Sequence, residues 1–275
     1  MRDEIRLERG SRVLCACSGG SDSTAMLHAL ASLRRELGID LVAHGVDHGL
    51  RAEAAAELQI AREVADQAGV PFGATLVDVQ RGGNLQARAR SARYDALRDA
   101  ADRAGAALIA TAHTADDRAE TVLLRLLRGS GPRGLAVLPP REGDRIRPIV
   151  RASREDVARH LQRNKLSFAN DPSNLDTRYA RVRVRLELLP LMRTLSPRIV
   201  ETLAALADEL ASVKDAPDPL RTLGRRQRAQ IEQALSHGKT ARVRVDDCKE
   251  VLVRLSPTGP VLTEIVAPRA ARTRS

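Results

Sequence analysis

The chain has 275 residues, 43% of them hydrophobic, and a formal net charge of +10. Its apolar runs are far shorter than the roughly 18 residues that a membrane-spanning helix needs, and the charged N-terminus MRDEIRLERG has no signal-peptide core. The three cysteines form no C-x-x-C pair, which argues against a disulfide-rich scaffold and fits a reducing compartment. We therefore expect a cytoplasmic protein with no membrane contact.

The positive charge indicates a polyanionic partner, because a basic surface attracts nucleic acid over long range. Only four of the 45 basic residues are lysines, so the sign of the charge carries this inference and the choice of arginine does not. The two Phe and two Tyr residues are too few for a sheet surface that stacks successive bases.

Residues 11–112 alternate between strand-like and helix-like patterns. The strand-like runs cover 12–17, 40–46, 75–79 and 107–111, and amphipathic helical patterns cover 22–37, 52–69 and 86–104. This alternation predicts an α/β fold with a doubly wound parallel sheet and helices on both faces.

Polar clusters follow three of the predicted strands. SGGSDS (18–23) follows the first strand, VDHGLR (46–51) the second and TAHTADDRAET (111–121) the fourth. The carboxyl ends of parallel strands form the ligand-binding edge of such a sheet. A glycine-rich turn before a helix is typical of a phosphate site, because backbone N–H groups and the helix dipole face the anion. The first turn lacks the lysine of a Walker A loop.

The cluster after the fourth strand continues into a helix. Its spacing places His113, Asp117 and Glu120 on one helical face, which favours a site with one imidazole and two carboxylates. The alternative is that Asp116 and Asp117 cap the helix while Glu120 is solvated.

The chain beyond residue 150 has a different, mainly helical character. Ser153, with an acidic residue three positions later, predicts a helix start, and Asp171-Pro172-Ser173-Asn174 predicts a turn. In the next predicted helix, Arg178, Arg181 and Arg185 form a basic stripe, which is either a solvated face or a phosphate contact. Further helices are predicted at 197–213 and 220–236, a linker at 214–219 and a hairpin at 241–255, before a basic tail that we expect to be disordered.

SGGSDS resembles the pyrophosphatase loop (PP-loop) of the N-type ATP pyrophosphatases, which cleave ATP between the α and β phosphates. VDHGLR, ARSARY (89–94), TAHTADDRAETVLLRLLRGSG (111–131) and NDPSNLDTRYARVRVRLELLP (170–190) occur in the order seen in tRNA(Ile)-lysidine synthetases. The resemblance covers residues 11–200. It implies an adenine nucleotide alpha-hydrolase-like fold, with a PP-loop catalytic domain at 1–150, a helical tRNA-contacting extension at 151–214 and a small C-terminal region at 215–275.

The resemblance also implies a reaction. Enzymes of this family use ATP to adenylylate the C2 carbonyl oxygen of the wobble cytidine in a tRNA(Ile) with a CAU anticodon, and free lysine then displaces AMP. We therefore expect ATP and Mg²⁺ as cosubstrate and cofactor, tRNA(Ile) and L-lysine as partners, and a ligase that forms a C–N bond. A homodimer is one option for the oligomeric state.

Matching positions carry the family's site onto this chain. The implied ATP-binding residues are Ser18, Gly19, Gly20, Ser21, Asp22, Ser23, His48 and Arg51. The implied catalytic residues are Asp47, His113, Asp117 and Glu120. The implied RNA-binding residues are Arg90, Arg93, Arg178, Arg181 and Arg185. Asp22 and Asp47 are the implied Mg²⁺ ligands, and Asp47 or Glu120 would steer or deprotonate the lysine ammonium.

One position departs from the family's pattern. Gln86 stands where the family more often has a glutamate, which leaves the role of that residue open.

Three other functions compete with this reading. A PP-loop tRNA sulfur transferase would need a cysteine pair or a positioned persulfide cysteine, and none is evident. An RNA-binding protein without activity would not need the polar clusters, and a small-molecule amide synthetase would not need the basic second half.

Overall fold

The computed structural model describes residues 5, 7–47, 49, 54–77, 85–169, 176–215, 225–244, 249–256 and 259–266. The chain divides into two compact units, Met1–Lys214 and Asp215–Ser275. Within the described ranges, no helix is both long enough and apolar enough to cross a membrane.

The first unit is built on a six-stranded sheet in the order β3-β2-β1-β4-β6-β5. Its strands are β1 (Arg12–Ala16), β2 (Asp40–Asp47), β3 (Phe72–Leu76), β4 (Leu108–Ala110), β5 (Arg141–Glu142) and β6 (Arg145–Ile146). All neighbouring strands are parallel except β5, which pairs antiparallel with β6. The predicted parallel α/β fold is therefore confirmed.

Helices connect these strands and continue beyond the sheet. They are α1 (Ser21–Leu37), α2 (Ala54–Gln67), α3 (Leu85–Ala104), α4 (Ala115–Leu127), α5 (Pro132–Leu135), α6 (Arg154–Arg163), α7 (Ala180–Arg183), α8 (Leu189–Leu195) and α9 (Ile199–Asp215). A π-helical turn, Val184–Leu188, joins α7 to α8.

Strand β1 lies at the centre of the sheet and is buried on both faces. Val13 and Cys15 pack in one apolar cluster with residues of α1 and α2, such as Leu27. Leu14 packs in a second cluster with residues of α3, such as Leu97. Helices therefore cover both faces of the sheet, which explains the unbroken apolar run of this strand.

Strand β3 begins three residues before the predicted run at 75–79. Its register is set by β2, since Ala43 pairs with Phe72 and Asp47 pairs with Leu76. Gly73 pairs with His44, and glycine is favoured at this position because a Cβ there would lie 2.8 Å from the His44 ring. Local hydrophobicity does not reveal such a requirement.

The second unit contains α10 (Arg225–Ser236) and an antiparallel sheet of β7 (Ala241–Arg244), β8 (Lys249–Ser256) and β9 (Gly259–Val266). Strands β7 and β8 correspond to the predicted hairpin, whereas β9 was not predicted. The predicted hairpin turn at Asp246-Asp247 and the basic tail lie outside the described residues.

Candidate active site

The turn between β1 and α1 requires glycine. Gly19 has a φ of +82°, and a Cβ at this position would lie 2.1 Å from the backbone oxygen of Glu57. Ser23 fixes the turn: its Oγ accepts a hydrogen bond from the Ser18 N–H at 3.2 Å and donates to the Gly20 carbonyl at 3.0 Å. Gly20 is the N-cap of α1 and brings no side-chain acceptor, so the first N–H groups of the helix can receive an anion.

Asp22 lies in the first turn of α1 and connects the glycine turn to the acidic cluster. Burial raises the pKa of its carboxyl to about 6, and the negative charge of Asp117 adds to the shift. The predicted phosphate turn and the acidic residues after β4 therefore lie close enough to interact electrostatically.

Asp47 ends β2, the strand next to β1. Its Oδ1 accepts a hydrogen bond from the Gly49 N–H at 2.8 Å. The other two residues expected here, His48 and Arg51, lie outside the described residues, as does the predicted turn at 171–174. The side chain of Gln86 is not described either.

His113 follows β4, and its Nδ1 lies 3.1 Å from the Thr111 Oγ1. Burial lowers the pKa of its imidazole to about 4, and the charges of Arg147, Arg90 and Arg93 act in the same direction. The ring is therefore neutral near pH 7. Helix α3 brings Arg90 and Arg93 near this imidazole, and the Arg90 guanidinium also lies 5.1 Å from the centre of the Tyr94 ring.

The acidic cluster is anchored by the start of α4. Thr114 caps this helix, and Asp117 Oδ2 accepts a hydrogen bond from the Thr114 N–H at 3.0 Å, which completes a capping box. Capping thus explains part of the role of Asp117. It does not explain Glu120, which is fully buried and not solvated.

Three arginines converge on Glu120. Arg154 Nη1 lies 2.7 Å from Glu120 Oε1, and the Nε atoms of Arg181 and Arg185 each donate to Glu120 at 2.8 Å. Arg154 and Arg181 also donate to Asp117 Oδ1, at 3.1 and 3.0 Å. Burial favours the neutral acid, yet hydrogen bonds and charges from these arginines hold the pKa of Glu120 below its usual 4.5.

The predicted basic stripe therefore divides. Arg181 and Arg185 point at the acidic cluster, whereas Arg178 precedes α7, is exposed and pairs with Asp176 at 2.6 Å. Two further arginines were not predicted as site residues: Arg154, and Arg193, which pairs with Asp116. Arg154 directly follows the predicted cap Ser153, and Arg193 lies eight residues after Arg185. Neither sequence position predicts that the side chain pairs with a carboxylate far away in the chain.

A cavity of about 520 Å³ opens beside the glycine turn, between α1 and α6. Its lining includes Asp22, Arg154, Leu161, Lys165, Leu166 and Phe168. The segment that carries Phe168 is attached to the turn, because the Ala169 N–H donates to the Gly19 carbonyl at 2.8 Å. Asp22 and Arg154 thus link the turn, the cavity and the acidic cluster.

Comparison with known proteins agrees with this architecture. The PP-loop domain family matches residues 2–192. The chain is 44% identical to a tRNA(Ile)-lysidine synthase of Salinispora arenicola and 41% identical to one of Thermobifida fusca, over 77% and 86% of its length. It covers 66% and 71% of those two relatives.

Among solved structures, the U34-tRNA thiolase NcsA from Methanococcus maripaludis, determined with its 4Fe-4S cluster, is similar with a TM-score of 0.65. The similarity covers 81% of this chain and 80% of the thiolase, at 16% identity, and therefore concerns the fold.

A parallel sheet with this glycine turn at its carboxyl edge, and a family match over most of the chain, define a PP-loop protein with an ATP-binding domain. Given the identities to the two bacterial relatives, the chain belongs to the tRNA(Ile)-lysidine synthase family.

Proposed function

We propose that the protein ligates L-lysine to C2 of the wobble cytidine in a tRNA(Ile) with a CAU anticodon, at the expense of ATP. The observation that carries the proposal is the placement of a phosphate-type turn beside a buried cluster of carboxylates and arginines, in a chain of this family. The C2 carbonyl oxygen attacks the α phosphorus, and the bond to the pyrophosphate breaks. The lysine ε-amine then attacks C2, and AMP departs with that oxygen.

The glycine turn would hold the ATP phosphates through the backbone N–H groups of Gly19, Gly20 and Ser21. Mg²⁺ fits this site, because it is commonly held by one or two carboxylates together with substrate phosphates. The raised pKa of Asp22 indicates a carboxylate whose charge is incompletely compensated and which a cation would stabilise. Asp22 would hold the ion, with Asp47 as the second carboxylate. When bound, the ion would neutralise charge on the departing pyrophosphate.

Glu120 is a poor proton acceptor in this arrangement, because three guanidinium groups stabilise its carboxylate. We assign to Glu120 and Asp117 the task of holding Arg154, Arg181 and Arg185 in place near the reacting groups. Asp47 is then the better candidate for steering the lysine ammonium. The neutral His113 would contribute a hydrogen bond without adding a positive charge beside the incoming amine.

The exposed arginines would contact the tRNA. Arg90 and Arg178 are exposed, and Arg93 is half-buried on the same helix as Arg90. Arginine side chains of this kind contact phosphates and fix the register of the nucleic acid. The net charge of +10 supports such a partner.

Sulfur transfer is the main rival, and the state of two cysteines counts against it. Cys15 lies in β1 and Cys17 directly follows this strand; both are buried, and burial raises the pKa of the Cys17 thiol to about 12. A buried, protonated thiol is a weak nucleophile and a weak metal ligand. Cys248 lies outside the described residues.

The proposal is tested by incubating the protein with Mg²⁺, α-labelled ATP, lysine and a tRNA(Ile) transcript carrying a CAU anticodon. We expect AMP release only when both lysine and this tRNA are present. Release without the tRNA would favour a small-molecule synthetase. Replacement of lysine by cysteine and a sulfur donor would favour the thiolation reaction.

A further inference from the structure

We propose that the cavity between α1 and α6 receives the nucleobase that is modified, and that Phe168 is the surface on which this base stacks. The inference rests on the proposed function, because it assumes that an RNA base is the acceptor. It assigns a role to a cavity and to an aromatic residue that the sequence motifs leave without one.

Phe168 lies beside the phosphate-type turn and is held there by its neighbour Ala169. The Ala169 N–H donates to the Gly19 carbonyl at 2.8 Å, and Ala169 forms a parallel bridge with Gly20. The residue carrying the ring is thus the direct neighbour of a backbone contact to the turn. A base on this ring would lie next to the phosphates that the turn is proposed to hold.

The exposure of Phe168 is notable in a chain with only two Phe and two Tyr residues. Phe72 is half-buried under the Arg62 guanidinium, and Tyr94 lies against Arg90 and Arg145. Tyr179 is 46% exposed but does not line the cavity, whereas Phe168 is 38% exposed and does. A cavity wall that combines an exposed ring with apolar side chains suits a planar base, which has an apolar face and polar edges.

The size and the polar groups of the cavity also suit a nucleotide. Its volume of about 520 Å³ lies within the range of small-molecule sites. Leu161 and Leu166 supply apolar walls, and Asp22 lies on the side of the glycine turn. Free lysine has no planar group that could stack on the exposed Phe168 ring, so a base fits this cavity better.

Lys165 provides a second, independent observation. It occupies the position after the C-cap of α6 with a φ of +51°, a conformation that favours glycine. The Leu166 N–H donates to the Leu161 carbonyl at 3.0 Å, which completes the helix-ending motif. Lys165 also lines the cavity, where its ammonium would meet a phosphate of the bound nucleotide.

The chain contains no tryptophan, so the variant Phe168→Trp carries a single fluorescent reporter at the cavity. We expect an anticodon stem-loop of tRNA(Ile) to quench its emission. An otherwise identical stem-loop that is abasic at the wobble position should bind about tenfold more weakly, because stacking of one base is lost. Phe72→Trp, with the reporter on β3, is the matched control and should not respond to either RNA.

Two results would overturn the proposal. Equal quenching by the intact and the abasic stem-loop would show that the wobble base does not enter the cavity. Quenching of Phe168→Trp by ATP alone or by lysine alone, without RNA, would assign the cavity to that ligand.

Steady-state kinetics provide a second readout. Phe168→Ala should raise the KM for tRNA about tenfold and leave the KM values for ATP and lysine within twofold. The control Leu127→Ala, at an exposed position on α4, should change none of these KM values.

Lys165→Gly should raise the melting temperature, because glycine relieves the backbone strain, and should also raise the KM for tRNA. Unchanged tRNA kinetics in both cavity variants would contradict the proposal.

The failure of this inference can be separated from the failure of the proposed function. Base-dependent quenching without any lysine-dependent AMP release would leave the cavity as a base-binding site and reject the ligation reaction. Ligation that proceeds normally in Phe168→Ala would reject the base-binding cavity and leave the reaction intact.

Discussion

Glu120 is a fully buried carboxylate on which the guanidinium groups of Arg154, Arg181 and Arg185 converge. Removing its charge leaves Asp117 as the one carboxylate that these three groups share. Because the arginines are partly exposed, we expect Glu120→Gln to destabilise the fold by about 2 kcal/mol, less than for a completely buried pair, and to reduce lysine ligation. Denaturant unfolding and the AMP-release assay measure the two effects.

Glu187→Gln is the control for this change. Glu187 pairs with Arg183 on the same helical segment, but both side chains are exposed, so we expect a much smaller loss of stability than in Glu120→Gln. Equal losses in the two variants would contradict the structural role assigned to Glu120.

The environment of Gly19 predicts how a substitution there affects ATP binding. Gly19→Ala combines a left-handed backbone with a Cβ placed 2.1 Å from a backbone oxygen, so the turn must move. We expect at least a tenfold rise in the KM for ATP.

Gly129→Ala is the control for this change. Its backbone is also left-handed, with φ at +72°, but no atom lies within 4 Å of the new Cβ. This control should lose about 1 kcal/mol of stability and keep its ATP kinetics; matching ATP defects would show that strain alone accounts for the effect.

At the scale of elements, α1 and α6 meet through a histidine pair. His28 Nδ1 lies 3.0 Å from His160 Nε2, and burial together with the neighbouring His160 lowers the pKa of His28 below 6.5. Between pH 6.5 and this lower value, the unfolded chain binds more protons than the folded chain. The stability that neutral His28 contributes is therefore complete above pH 6.5 and is lost as the pH falls through its folded pKa.

We expect His28→Asn to weaken the dependence of stability on pH between 7.5 and 5. The difference should be about 0.5 kcal/mol, since solvent screens a partly exposed pair. Urea unfolding across this pH range measures it, with His237→Asn, an exposed position after α10, as the control. A pH dependence unchanged from that of the parent protein would mean that the histidine contact carries no linkage.

Local sequence signals predict some of the helices and strands and miss others. The β1–turn–α1 unit follows from an apolar run, a glycine turn and an amphipathic helix, all of which are local signals. The Ser153 cap of α6 was also predicted and is confirmed, with Asp156 completing the capping box. By contrast, β5 and β6 are two residues each and form only because neighbouring strands supply their partners.

The arginine stripe makes long-range contacts that local sequence patterns do not predict. Spacing correctly placed Arg181 and Arg185 on one side of a helical segment. Their partner Glu120 lies 61 and 65 residues earlier in the chain, and no periodicity encodes that contact. The ion-pair partners of the acidic cluster therefore required the tertiary structure.

For the molecule as a whole, the order of motifs along the chain carried more information than any one of them. Each polar cluster has a structural explanation by itself, as the capping box of Asp117 illustrates. Their assembly on adjacent parallel strands follows from the βαβ pattern, which fixes the carboxyl edge as the site. The sequence thus predicted the fold and the family, and both are confirmed, while the roles of individual site residues stay predictions.

The central claim is that ATP activates the base and not the amino acid. A tRNA(Ile) transcript that carries a heavy oxygen isotope at C2 of the wobble cytidine tests it directly, with mass spectrometry of the AMP released during lysine ligation. We expect the heavy oxygen in the phosphate of AMP, because the C2 oxygen attacks the α phosphorus and leaves with it. Unlabelled AMP, with the heavy oxygen retained in the tRNA, would show that another group is activated and would contradict the account.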